Sequence, residues 1–186
     1  MKNPLLQKPD ARFGAYPFDK IKPEDFLPAI KEAVNSAYAK LEEYKKKSGN
    51  SFHHVIVEQG DISDQVNYIA GIFYNLHSAE CSEELEKISP EMSEILTKYV
   101  NDISLDPVIF GKVKACHDSR FEQNLTREEL TIIEKTYKGF VRSGALLADS
   151  EKNRMREIDE RLAKLTLNFS QNVLKATNEY TLELIS

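Results

Sequence analysis

An all-α fold follows from three observations on this 186-residue sequence. Apolar residues recur in steps of three and four in one segment after another, which is the period of an amphipathic helix. Residues suited to helix caps stand just before several of those stripes. The chain has only 7 Gly and 7 Pro and no Trp, so it reads neither as low-complexity sequence nor as a β-sandwich. The expected architecture is a multi-helix domain of antiparallel amphipathic helices ending in a long C-terminal helical hairpin.

The chain opens with a polar, Pro-containing arm, Met1 to Tyr16, that lacks periodicity, and the lead-in as a whole is placed at 1–22. Pro23 or Pro28 can occupy a first helical turn, where a missing N–H costs nothing, and Glu24 and Asp25 favour the same end. The stripe Ile30, Val34, Ala37, Leu41, Tyr44 follows, and Ser48-Gly49-Asn50 ends it. Lys45-Lys46-Lys47 reads as a solvated helix end, its cations complementing the macrodipole. Ile62, Val66, Ile69, Phe73 and Leu76 form a second stripe. Ser82 is placed to cap a third helix carrying Leu85, Ile88, Met92, Ile95 and Tyr99, and Pro90 inside it predicts a kink or a break. Asp106-Pro107 reads as cap plus first residue of a short helix through Ile109, Val113 and Cys116.

The C-terminal hairpin is the firmest reading. Thr126 and Glu129 make a capping box, with Leu125 and Leu130 as a hydrophobic staple around it. Leu130, Ile133, Tyr137 and Phe140 share a face, and Gly144 sits where a left-handed C-cap would close the helix. Asp149 or Ser150 then caps a helix bearing Met155, Ile158, Leu162, Leu165, Phe169 and Val173, a stripe expected to face a partner helix. Glu151, Lys152, Arg154, Arg156, Glu157, Asp159, Glu160, Arg161 and Lys164 form its solvated outer face. The helical domain is placed at 23–178, and 179–186 is expected to continue into a missing part. Tyr180 to Ile185 alternates like a strand with no partner in the sequence, as in a chain cut in its middle.

Three clusters invite chemistry. His53, His54 and Glu58 place imidazoles and a carboxylate close together, but a zincin helix needs H-E-x-x-H and no third ligand is nearby, so surface histidines are expected. His77 reads as a hydrogen-bonded histidine near a helix end. Cys116, His117 and Asp118 are adjacent, and neighbours on a helix point roughly 100° apart, which prevents a nucleophile–base pair. No Gly-rich phosphate loop, G-x-S-x-G or C-x-x-C occurs. The net charge of −5 argues against non-specific nucleic-acid binding. No run approaches the ~18 apolar residues of a membrane span. Cys81 and Cys116 lack metal or redox spacing, which fits a reduced, cytoplasmic setting, with the reservation that a leader could have been replaced at Met1.

Several segments carry a likeness. Glu134 to Ala145 with Leu165 to Leu174, Pro17 to Ile30, and Phe73 to Ala79 resemble the N-terminal helical region of the thimet-oligopeptidase family of zinc peptidases. They are most similar to its peptidyl-dipeptidases (dipeptidyl carboxypeptidases), with the oligopeptidase A type as the near alternative. The resemblance implies a parent enzyme that releases C-terminal dipeptides from short peptides, with zinc held by an H-E-x-x-H helix and a later Glu. Those residues fall beyond Ser186 in the family pattern, so no catalytic, cofactor-binding or metal residue is assigned to this chain. The implied role is a non-catalytic, zinc-free, inactive fragment walling the substrate channel, which could self-associate through surface its missing part would cover. The reading from the residues alone is an independent helical interaction module.

Overall fold

The computed structural model describes residues 3–7, 14–79 and 82–182. Six α-helices carry the fold: α1 (Pro23–Lys46), α2 (Gln59–Ala79), α3 (Glu83–Ser104), α4 (Pro107–Asp118), α5 (Arg127–Arg142) and α6 (Asp149–Glu179). No strand occurs among the described residues. The all-α expectation is met.

Helix α1 is the central post, because its apolar stripe is buried along its whole length. Phe26, Ile30, Val34, Ala37, Leu41 and Tyr44 are each no more than 6% exposed. Pro23 is its first residue, and the Asp25 carboxylate accepts from the Lys22 N–H at 2.9 Å. Pro28 lies further inside the same helix. α1 packs on α2 and on α3, enclosing Val66, Ile69, Phe73, Met92 and Tyr99 in one core. The N-terminal arm belongs to that core: Leu5 is fully buried, its carbonyl accepts from Gln65 Nε2, and Asn3 Nδ2 donates to the Asp25 carbonyl.

A second core joins the turn that leads into α2 to α4 and α5 through Phe52, Val55, Val113, Cys116 and Ile133. Phe140 packs against both cores and stacks on Phe110 at 6.1 Å. Asp106 caps α4 by accepting from the N–H groups of Val108 and Ile109, and Ser82 caps α3 by accepting from Leu85.

Pro90 neither breaks nor ends α3. A proline removes the N–H that would reach the carbonyl four residues back. Here that carbonyl is on Glu86, and it accepts instead from Ser89 Oγ at 2.9 Å.

The C-terminal region departs from the expected hairpin. The capping box is present, with Thr126 Oγ1 accepting from the Glu129 N–H and Glu129 Oε2 from the Thr126 N–H. Gly144 has φ +93°, and the bonds from Ala145 N–H to the Phe140 carbonyl and from Gly144 N–H to Val141 complete a Schellman close. The following link then carries α6 onto α3, while α5 packs on α4. The cap of α6 is Ala148, one residue before Asp149 and two before Ser150, and Glu151 accepts from its N–H at 3.0 Å. The side of α6 toward the body runs through Lys152, Met155, Arg156, Asp159, Ala163, Leu167 and Gln171. Ala163 and Leu167 face Pro90 and Ser93 of α3 across a small cavity. Tyr180–Leu182 has no regular structure, and the rest of the expected strand lies outside the described residues, as does Cys81.

Candidate docking face on the last helix

The sharpest feature of the surface is the stripe that periodicity assigned to a partner helix. Turning the opposite side of α6 toward α3 leaves Ile158, Leu162, Leu165, Phe169 and Val173 in water at 39, 54, 53, 70 and 48% exposure. They extend over roughly 22 Å at 1.5 Å per residue. Contiguous large apolar side chains on a soluble chain mark an interaction surface, whereas scattered ones carry no such meaning. Beside the stripe a cavity of about 530 Å³ opens between α2, α3 and α6. Leu162 and Leu174 form its α6 wall, with His77 and Tyr74 opposite. The face offers apolar area with few hydrogen-bonding groups, which suits docking rather than catalysis.

Of the residues that sequence alone singled out for chemistry, His77 borders this cavity, and the groups at His53–Glu58 and Cys116–Asp118 lie elsewhere. His54 is not a surface histidine: it is 8% exposed, lies over the Tyr44 ring at 4.9 Å, and its Nδ1 is 3.1 Å from Glu58 Oε2. A π-helical turn at His53–Glu58 brings this about, and periodicity does not register such a turn. His53 stays exposed, 3.8 Å from the other oxygen of Glu58. Burial pushes the Tyr44 phenol up to about 12. Among the described residues no three His, Cys, Asp or Glu side chains stand together as a metal-binding set.

His77 leans on Phe73 at 5.7 Å, and its Nε2 is buried with no hydrogen-bond partner among the described residues, in contrast to the bonded histidine expected. Cys116 is fully buried, and that burial raises its thiol pKa. Its neighbour His117 points away from it, stacking on Tyr137 at 4.2 Å and bonding Glu134 through Nε2 at 2.8 Å. Lys138 and His117 together hold the Glu134 carboxyl down at about 2. No nucleophile–base pair forms there.

Two features escaped the sequence reading. Lys152, placed on the solvated face, is 9% exposed, and Arg156 reaches Asp102 at 2.7 Å. Tyr38 and Lys98 bond the same carboxylate, drawing together three helices whose residues have no recognisable spacing. Likewise Lys45, expected as part of a solvated end, bridges to Asp106 at 2.8 Å.

No family model matches the chain. It is similar to dipeptidyl carboxypeptidase of Salmonella typhimurium, 26% identical over 94% of this chain and 26% of that protein. It is equally similar to a probable cytosolic oligopeptidase A of Arabidopsis thaliana, 26% identical over 96% of the chain and 25% of the relative. Oligopeptidase A of Haemophilus influenzae is 27% identical over 95% of the chain and 25% of its own length. The chain therefore spans about a quarter of the length of the curated relatives it matches. Over nearly its whole length, this chain is homologous to dipeptidyl carboxypeptidases and oligopeptidases A of the thimet-oligopeptidase family.

Proposed function

We propose that this chain is the non-catalytic helical wall of a zinc-dependent peptidase acting on short peptides, of the peptidyl-dipeptidase kind. The observation that carries the reading is end-to-end similarity to peptidases about four times its length. The exposed stripe of α6 supports it, since such a face calls for an apolar cover, and the remainder of a peptidase would supply one. The wall excludes folded proteins by its bulk and admits extended chains. No catalytic step is assigned to any residue of this chain. An oligopeptidase A-type endopeptidase is the second reading, favoured by identities as high as those to the dipeptidyl carboxypeptidases.

The test is peptide hydrolysis with zinc supplied. The 186-residue chain is expected to release nothing, and a protein extended along the same reading frame is expected to release C-terminal dipeptides in a chelator-sensitive way. Chelator-sensitive cleavage by the 186-residue chain would overturn the proposal; internal cleavage by the extended protein would select the endopeptidase reading.

A further inference from the structure

The exposed stripe of α6 is close to a palindrome in its spacing. Ile158, Leu162, Leu165, Phe169 and Val173 stand at nearly mirrored distances from a midpoint between Leu165 and Thr166. At 1.5 Å per residue, Leu162 and Phe169 lie about 5 Å from that point, and Ile158 and Val173 about 11 Å. Charge along the helix is one-sided. Every charged residue of α6 other than Lys175 and Glu179 falls within 149–164. The exposed polar groups further on are neutral: Thr166, Asn168, Ser170, Asn172 and Thr177.

A face that reads alike in both directions suits an isologous contact, in which one residue meets a second and the second meets the first across a two-fold axis. Turned antiparallel, a second α6 sets its Val173 against Ile158 and its Phe169 against Leu162, and the two Leu165 side chains meet beside the axis. The same turn lays the charged half of one helix along the uncharged half of the other, so Arg161 faces Ser170 and Arg154 faces Thr177. A parallel pair would bring Arg154 and Arg161 against their own copies, and like charges so placed are destabilising. A membrane surface fits less well, because Glu157 and Asp159 lie on either side of the stripe, where a lipid-binding helix carries Lys and Arg. With about 100 Å² exposed on each stripe residue, a pair of such faces buries roughly 1,000 Å² before the polar flanks are counted, at the lower end for a specific interface.

We propose that the 186-residue chain forms an antiparallel, two-fold dimer through the α6 stripe. The inference needs no part of the peptidase reading, which concerns what covers the same face in a longer protein. An interface of this size corresponds to a dissociation constant of roughly 10–100 μM, so the chain is monomeric at about 2 μM.

The test is sedimentation equilibrium of the 186-residue chain from about 2 to about 500 μM, which brackets that constant. A reversible monomer–dimer equilibrium is expected. Leu165→Glu places two carboxylates together at the axis, on a residue already 53% exposed, and should weaken the dimer roughly tenfold or more with the far-UV circular dichroism unchanged. Phe121→Glu, at an exposed residue away from α6, should leave the equilibrium as it is. The register is read by air oxidation in a Cys81→Ser background: Leu165→Cys should link to itself, and Ile158→Cys should link to Val173→Cys in a mixture rather than to itself. A monomer at the highest concentration, a larger assembly, an equal constant in Leu165→Glu, or preferential self-linking of Ile158→Cys would each overturn the proposal.

Discussion

Removing the same side chain from two helices separates the buried core from the open face. Phe73 of α2 is fully buried, with edge-on contacts to Phe26 and Tyr74 at 5.3 Å each. Phe169 of α6 is 70% exposed. Truncating a buried phenylalanine costs about 3–5 kcal/mol, the lost transfer energy plus the cavity left behind. For a chain of this size each kcal/mol lowers Tm by about 2–4 °C, so Phe73→Ala should lose roughly 6–20 °C. Phe169→Ala removes a side chain already in water and should change stability by no more than about 0.5 kcal/mol. Thermal unfolding followed by far-UV circular dichroism, with urea midpoints as a cross-check, measures both. A loss in Phe169→Ala as large as in Phe73→Ala would refute the open face, because the stripe would then be packed within the chain. A neutral Phe73→Ala would refute the core between α1 and α2.

Gly144→Ala should destabilise by roughly 1–2 kcal/mol for the left-handed backbone alone, and its new Cβ would lie 2.8 Å from Leu147 Cδ1; an unchanged urea midpoint contradicts this. Thr126→Ala removes the cap of α5 and should cost about 1 kcal/mol by the same measurement, with no loss counting against the capping box. Burial pushes the Asp102 pKa up, but hydrogen bonds from Lys98 and Tyr38 outweigh it and the folded value is lowered. Its contribution is therefore complete above the unfolded carboxylate pKa and is lost as pH falls through the lowered folded value. Asp102→Asn should flatten the acid limb of stability against pH below about 4, and an unaltered slope would contradict that. In a Cys81→Ser background the Cys116 thiol should react with a disulfide reagent only as the chain unfolds; rapid labelling of the native protein would contradict its burial.

The helices and their caps were legible because they depend on neighbours in sequence. Thr126 with Glu129, Asp106 with Pro107, and the stripe from Ile30 to Tyr44 all act within a few turns of one helix. Which helix partners which was not legible. The α6 stripe has a sound period, yet a period states only that a face is apolar and leaves open what covers it. The partner was fixed by the turn at Gly144 and by the packing of α6 on α3, features of three-dimensional geometry. Pro90 misled because the remedy, a serine hydroxyl one residue earlier, is a single hydrogen bond. The cluster of Tyr38, Asp102, Lys152 and Arg156 was hidden for the reason long-range polar sites usually are: its members come from separate helices and leave no local pattern. His54 was misplaced because the π-helical turn shifts which residues share a face.

The most direct measurement is to read the encoding transcript past the codon for Ser186. A frame that continues into an H-E-x-x-H helix and a later glutamate is the predicted result, and it would make this chain one wall of a peptidase whose remaining domains cover the α6 stripe. A stop codon at that point would contradict the peptidase reading and leave the exposed stripe as the binding face of an independent helical protein.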